Sequence, residues 1–304
     1  MTLQQLRQVL TIAESNSMNE AAKKLFVSQP NLSATVREVE EELGITVFMR
    51  NNRGITVTAE GEEFLGYAKQ VVEQYHLLEN RYLNVESKKK FSVSMQHYSF
   101  AVKAFVQLAK EVGMDEYEFA VHETKTKEVI DNVKNLKSEI GVLYLSDFNE
   151  KVLRKLFKEC DIEFKELFTC NTYVYLWKKH PLAGQKEITL DDLQEYPCLT
   201  FEQGVNNSFY YAEEMMSTYE YKRVIKADDR ATMLNLMVGL NGFTLCSGII
   251  SEDLNGDDYA AIPLKESEIM HIGYIKHKGT KLSKLGEIYI DAVSYTHLTL
   301  PTIL

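Results

Sequence analysis

The chain opens on a helical periodicity. Leu3, Leu6, Leu10 and Ala13 recur at intervals of three and four, placing four apolar side chains on one face of a first helix. Ser17 with Glu20 is a capping-box pair that opens a second helix near Met18, running to about Leu25. Ser28 caps a third, with Pro30 in its first turn and Gly44 just past Leu43, where a left-handed residue is wanted. On that third helix Leu32, Val36, Val39 and Leu43 share a face, so Pro30, Ser33, Ala34, Arg37 and Glu41 are expected to project away from it. Ile45–Phe48 and Ile55–Thr58 are β-prone runs flanking a turn that carries Arg50 and Arg53, which predicts a small hairpin.

A longer rhythm follows. Phe64, Ala68, Val71, Tyr75, Leu78, Tyr82 and Val85 are spaced four and three in alternation, a heptad seam sustained over three repeats. Thr58 is its cap, Glu60, Glu62 and Glu63 complement the positive end of the helix dipole, and Lys88, Lys89 and Lys90 the negative end. At about 1.5 Å per residue the helix would reach roughly 40 Å; it could pack back on its own head or form an antiparallel pair with a second copy, and its length favours the pair.

From Phe91 the pattern changes to alternating strands and helices, the mark of a layered α/β domain. Strands are predicted at Phe91–Met95, Tyr117–Val121 and Glu139–Leu145, with helices at Ala101–Val112 and Lys127–Lys137 between them. Leu167–Trp177 reads as a strand passing into a second lobe. There Cys198–Phe201, Arg223–Ala227 and Phe243–Ser247 are expected as strands, and Asn206–Tyr219 and Arg230–Leu240 as helices. Met270–Lys276 should cross back and Lys281–Val293 close the first lobe with a helix.

Three short helices and a cationic hairpin suit duplex DNA. The outer edge of the third helix would enter the major groove, with Gln29 and Ser33 able to pair with base edges and Arg37 able to reach guanine or the backbone. Arg50 and Arg53 at the hairpin would lie over flanking phosphates or a narrow minor groove. Charge qualifies this picture. Between Met1 and Thr58 six Lys/Arg face six Asp/Glu, so one head is formally neutral and binding calls for several copies with the acids turned away.

The pattern Ala21-Ala22, Leu25, Ser28-Gln29-Pro30, Leu32-Ser33, Val39-Glu40, Leu43-Gly44, Phe48, Arg50 and Thr58-Ala59-Glu60-Gly61 resembles the amino-terminal signature of LysR-type transcriptional regulators. The resemblance implies an α/β chain with an all-α, winged head: a winged helix-turn-helix over 1–58, a linker and dimerisation helix over 59–89, and a two-lobed, periplasmic-binding-protein-like effector domain over 90–293. Lobe I would comprise about 90–165 and 269–293, and lobe II about 166–268. Candidate DNA-binding residues are then Ser28, Gln29, Pro30, Ser33, Ala34, Arg37, Arg50 and Arg53. Ala34 departs from the many members that carry a longer polar residue there. The implied partners are a double-stranded, imperfectly palindromic operator, further copies of the chain in a dimer or tetramer, RNA polymerase, and a small-molecule effector in place of any cofactor.

In such lobes a ligand sits beyond the carboxyl ends of the strands. That geometry nominates Tyr98, Ser99 and Phe100, Thr124 and Thr126, Phe201 and Gln203, and Ser247; Ser99 and Thr126 serve equally well as helix caps. Two other readings stay open: a constitutive DNA-binding protein whose rear domain only oligomerises, and a redox sensor built on Cys160 and Cys170.

The remaining composition narrows the classes. The 304 residues are 45% apolar with a net charge of −10, without an apolar run long enough for a membrane span, and Met1 leads directly into an amphipathic helix rather than a signal peptide. A cytoplasmic location is expected. No metal-protease, nucleophile-elbow, phosphate-loop or dinucleotide motif is present, which argues against an enzyme, and the histidines lack metal-ligand spacing. The four cysteines form no Cys-x-x-Cys pair. Residues 294–304 carry no charge and no helical period; they are expected to be a non-native, loosely packed tail.

Overall fold

The computed structural model describes residues 1–15, 17–51, 54–82, 88–113, 116–206 and 208–299, and divides into two compact units, Met1–Ser87 and Lys88–Leu304. In the first, α1 (Leu3–Ala13), α2 (Met18–Lys24) and α3 (Gln29–Leu43) enclose a core of Val9, Ile12, Ala21, Leu32, Val36 and Val39. Their ends are set locally. Thr2 and Gln5 form a complete capping box on α1, Ser17 accepts from the Glu20 amide, Ser28 from the Asn31 amide, and Gly44 closes α3 at φ 70°. Between α2 and α3, Phe26 takes the left-handed position at φ 54°, its ring almost wholly exposed, while the Val27 amide reaches back to the Ala22 carbonyl. Glycine ordinarily fills that place in such a turn.

The hairpin forms later than expected. β1 (Phe48–Asn51) pairs antiparallel with β2 (Gly54–Val57), because Glu40 of α3 accepts the Val47 and Phe48 amides and so holds the preceding residues out of the ladder. Arg53 and the side chain of Arg50 lie outside the described residues.

The long helix α4 (Ala59–Tyr82) is capped by Thr58, whose hydroxyl accepts the Gly61 amide. The single seam expected along it divides into two stripes. Leu65, Ala68 and Val72 are buried with head residues: Leu65 joins the head core, and Ala68 and Val72 pack with Leu6 of α1 and the partly buried Phe64. Arg7 extends the same contact over the Tyr75 ring and toward Glu79. Tyr67, Val71, Tyr75 and Leu78 stay exposed. The side chain of Tyr82, and Val85, lie outside the described residues. The head competes for the seam because its own α1 offers an apolar face one turn wide, and only the residues it leaves uncovered remain for a second chain.

In the second unit β3 (Lys89–Met95), α5 (Ser99–Val112), β4 (Tyr117–Glu123), α6 (Thr126–Lys134) and β5 (Ile140–Leu145) build a parallel half-sheet. β12 (Met270–His277) and β6 (Ile162–Cys170) complete it in the order β4-β3-β5-β12-β6. Every residue of β5 is buried: Ile140, Val142 and Tyr144 join the core shared with α5 and the closing helix, while Leu143 and Leu145 face α6 and α7 (Glu150–Glu159). Helix α7 went unpredicted. The closing helix α10 (Lys284–Thr299) runs through part of the stretch expected to be a loose tail, with Thr296 fully buried; residues 300–304 lie outside the described set.

The chain leaves lobe I only at Asn171-Thr172. Lobe II contains β7 (Tyr173–Trp177), β8 (Cys198–Phe201), β9 (Val224–Ala227), α8 (Arg230–Leu240), β10 (Thr244–Cys246), the short α9 (Glu252–Asn255) and β11 (Tyr259–Pro263), which sequence periodicity missed. β10, β7 and β11 pair antiparallel, β8 and β9 parallel. The helix expected over Asn206–Tyr219 does not form. A 3-10 turn at Phe209–Tyr211 and a left-handed Met216 (φ 55°) replace it, because the adjacent Glu213 and Glu214 are both drawn inward to hydrogen-bond partners, which a continuous helix would point about 100° apart.

Two substitutions test the head. A Cβ at Gly61 would meet the Val47 carbonyl oxygen at 2.3 Å, so Gly61→Ala should destabilise the first unit by roughly 1–3 kcal/mol in denaturant titration. Phe26→Gly, which relieves a left-handed aromatic whose ring makes little contact, should raise stability by about 1 kcal/mol.

Candidate functional site

Two surfaces carry chemistry, one in each unit. On the head, Pro30, Asn31, Ala34, Arg37, Glu38 and Glu41 form the exposed edge of α3, and Ser28 is exposed at its start. Ser33 is corrected: it is 8% exposed and its hydroxyl accepts from Gln29 Nε2 at 2.9 Å. At about 100° per residue Ser33 lies roughly a quarter-turn from the middle of the apolar stripe, on its flank rather than opposite it. The outward-facing candidates that remain are Pro30, Ala34 and Arg37, with Arg37 also rimming a shallow cavity beside Phe48 and Ile55 of the wing. The acids are mostly occupied. Glu40 holds the wing amides, Glu38 accepts from Gln5, and Glu20 pairs with Lys24.

The second surface lies between the lobes of the rear unit. β4 and β5 flank β3 on opposite sides, so the loop after β3 sits at a topological switch point, where an open sheet leaves a crevice. That loop is Gln96-His97-Tyr98, and lobe II closes over it. The cavity holds about 660 Å³ of atom-free space, part of it open to solvent. Of the residues nominated from sequence, Tyr98, Ser99, Phe201 and Ser247 line it. Phe100 does not: its ring is fully buried in the lobe I core, stacked on Tyr98 and edge-on to Phe168. Thr124 donates to Glu128 within its own helix turn. Thr126 and Gln203 are not on the lining either; they fasten the seam beneath it.

The seam is a chain of buried hydrogen bonds. Gln96 Nε2 donates to Thr126 Oγ1 (2.6 Å), which donates to the Tyr211 carbonyl (2.8 Å). The Thr126 amide donates to Gln203 Oε1 (3.1 Å), and Gln203 Nε2 to Glu213 Oε1 (2.9 Å). Glu213 Oε2 accepts the His97 amide (2.9 Å) and lies 2.8 Å from His97 Nδ1, while the His97 ring stacks on Phe201 with centroids 3.6 Å apart. Around the rim, Arg230 grips Glu123 (Nε to Oε1, 3.0 Å), Lys125 reaches Asp228 (3.3 Å) and Lys103 reaches Asp253 (2.8 Å).

Sequence reasoning missed His97, Glu213, Glu214 and Arg230. Arg230 follows the Asp229 cap of α8 and could have been found at that helix start; the two glutamates were hidden inside a segment mistaken for a helix. Glu214, whose carboxylate accepts the Phe201 amide at 2.8 Å, is pushed up to about 8 by burial and by Glu213 beside it. The thiols give no support to redox sensing. Cys160 packs on the α6/α7 face of the lobe I sheet and Cys170 against the opposite core, and burial raises both thiols, Cys170 to about 12, where a sensor needs a lowered value. Among the described residues no His/Cys/Asp/Glu group could hold a metal ion, and no helix is long and apolar enough to cross a membrane.

Comparison with known proteins finds a family match in each unit. The family described as bacterial regulatory helix-turn-helix protein, lysR family, matches residues 3–62, and the LysR substrate binding domain matches residues 114–294. The HTH-type transcriptional regulator CysL of Bacillus subtilis (strain 168) is 28% identical over 214 residues, 67% of this chain and 66% of its own length. The transcriptional dual regulator GltC of the same organism is 30% identical, with 67% of this chain and 66% of the relative covered. In fold, the chain is similar to a full-length OxyR variant from Pseudomonas aeruginosa (TM-score 0.66, 19% identity, 97% of this chain and 98% of that one) and to the LysR family regulator CbnR (TM-score 0.58, 17% identity, 97% and 99%).

The raised Glu214 makes stability depend on pH. Its folded carboxyl holds a proton that the unfolded one releases near the ordinary glutamate value, so the folded state loses stability as pH rises from about 4.5 toward 8. Glu214→Gln, which cannot ionise, should flatten that slope, and denaturant titrations at the two ends of the range would measure it.

Proposed function

Because the chain belongs to the LysR family of helix-turn-helix regulators, we propose that it is a DNA-binding transcriptional regulator, reading an imperfect palindrome as a dimer or tetramer and answering to a small molecule in the cleft of its rear unit. The observation that carries the reading is the exposed edge of α3, Pro30-Ala34-Arg37, standing beside a paired wing, with the opposite face of that helix buried in the head core. Phosphate contacts from the wing would fix register, and Arg37 with the small Pro30 and Ala34 would meet base edges and methyl groups. The exposed stripe Tyr67, Val71, Tyr75 and Leu78 on α4 supplies an apolar face for a second copy, and two copies would bring two heads to successive major grooves. RNA polymerase is the further partner this role requires. The setting is the cytoplasm, and the role is regulatory rather than enzymatic.

Control follows from differential affinity. A ligand that prefers one relation of the lobes shifts the population toward it, and nothing else about its binding can. The seam and rim contacts favour this over a rear unit that merely oligomerises, since they place hydrogen-bonding groups around a cavity that simple assembly does not need.

Sequencing the DNA fragments retained by the purified protein would identify the operator. On that operator Arg37→Ala should cost about 1–3 kcal/mol and relax preference at one position. Val71→Asp with Leu78→Asp should convert the protein to smaller species by sedimentation and weaken operator binding at least tenfold; an unchanged mass would remove α4 from assembly.

A further inference from the structure

Resting on the reading of the cleft as an effector site, we propose that its ligand is an amine: a small molecule whose cationic nitrogen is received by the Glu213–Glu214 pair and whose apolar body lies along Phe201 and Met233.

Glu213 and Glu214 are both buried, 6% and 5% exposed, and both line the cavity. Glu213 has partners in His97 and Gln203. Glu214 accepts from the Phe201 amide and from the backbone amides of Glu213 and of Glu214 itself, and among the described residues it forms no ion pair with a Lys, Arg or His. The groups that feel its charge are Glu213, the hydroxyls of Tyr98, Tyr144 and Tyr221, and the Cys198 thiol, all acidic or neutral. Buried carboxylates normally come with a counter-charge, since an unpaired one costs several kcal/mol or gives up its ionisation. Among the described residues Glu213 has His97 beside it and Glu214 has no such partner.

A second observation lies on the same wall. Thr244, 6% exposed, lines the cavity, and its hydroxyl is buried without a hydrogen-bond partner. A hydroxyl can accept from an ammonium, so it adds an acceptor to the two carboxyls that line the same cavity. The aromatic lining adds to this. Tyr98, Tyr175 and the Phe201 ring, which is stacked on His97, offer π faces that attract a cation.

An anionic ligand would be less well received. Arg230 is the one Lys or Arg among the described cavity-lining residues, and it is engaged by Glu123 and by Asn255. The first turns of α5, at Ser99, and of α8, at Arg230 and Met233, also border the cavity, but the Asp229 side chain already caps α8 and two carboxyls share the space.

The test uses the full chain with two matched probe sets: hexylamine, hexanol and hexanoate, and phenethylamine, phenethyl alcohol and hydrocinnamate. Thermal shift and titration calorimetry read binding. The amines should raise Tm by several degrees, the alcohols less and the carboxylates not at all. Glu214→Gln should weaken the amines at least tenfold and leave the alcohols within a factor of two or so, while Thr244→Val should weaken them by a smaller factor. Because Glu214 must ionise to receive the cation, amine binding should release a proton, seen as a buffer-dependent heat, and affinity should rise between about pH 6 and about pH 8. Carboxylates stabilising the protein better than amines would overturn the amine assignment and leave the effector cleft standing. No response to any probe would also overturn it, while operator binding would still test the regulatory reading. Equal amine binding by the parent and Glu214→Gln proteins would place the cation elsewhere and end the proposal.

Discussion

Thr126 sits where the two lobes of the rear unit meet, and its hydroxyl and amide tie three segments together: Gln96 after β3, Tyr211 in the turn of lobe II, and Gln203 after β8. The bonds of Thr126 to Gln96 and Gln203 are shut away from water and its bond to Tyr211 is partly so, and a buried group left without a partner loses about 1–3 kcal/mol. The bonds therefore fail together. A small rotation of one lobe would leave several donors unmatched before any could be rehydrated, and such a seam has separate arrangements rather than a continuous range of them. The rim ion pairs act differently: Glu123–Arg230 and Lys125–Asp228 are partly exposed, so they guide the closed state more than they enforce it.

Against that fully matched seam, the cavity wall is incompletely matched. Glu214 lies a residue away from a glutamate that is well satisfied, yet has no cation of its own, and Thr244 has no partner for its hydroxyl. Of the unit's buried hydroxyls without a hydrogen-bond partner, that of Thr244 lines the cavity, while those of Tyr221 and Ser251 lie off its wall. The same burial that raises Glu214 also raises Tyr98 on the cavity lining, so both of these groups hold their protons to higher pH than they would in water.

Local signals read well from sequence, and shared surfaces read poorly. The caps at Ser28, Gly44, Thr58 and Asp229 each place a helix end by chemistry confined to a few residues, and those ends fall where the sequence puts them. The heptad from Phe64 to Leu78 is real as periodicity, but which partner takes each position depends on α1, some sixty residues earlier in the chain, and period alone does not reveal that competition. Ser33 failed for a related reason: a quarter-turn from the apolar stripe is neither face, and neighbouring packing decides it. Glu213 and Glu214 were invisible because their inward direction is imposed by Gln203, His97 and Phe201, all distant or across the lobe boundary. Of the cleft, four nominated residues line the cavity because strand ends at a switch point are predictable from topology; the carboxyl pair comes from an irregular segment with no such rule.

The head shows how a formally neutral domain can still meet a polyanion. Its acids do not vanish; they are spent inside the fold, Glu40 on the wing amides, Glu38 on Gln5, Glu20 on Lys24. Glu41 remains on the exposed edge near Arg37, a repulsive element that one head alone must overcome at every phosphate it approaches. Weak binding by one head is compatible with tight binding by two, because the second event on a joined pair is intramolecular and gains a large effective concentration. Selectivity benefits from the same arithmetic: a lone head that binds poorly everywhere holds only where two half-sites stand at the spacing that the joined copies impose. The apolar stripe left uncovered on α4 is thus the counterpart of the head's missing charge, and the economy of cations on one surface makes sense only with the surplus of exposed Tyr67, Val71, Tyr75 and Leu78 on the other.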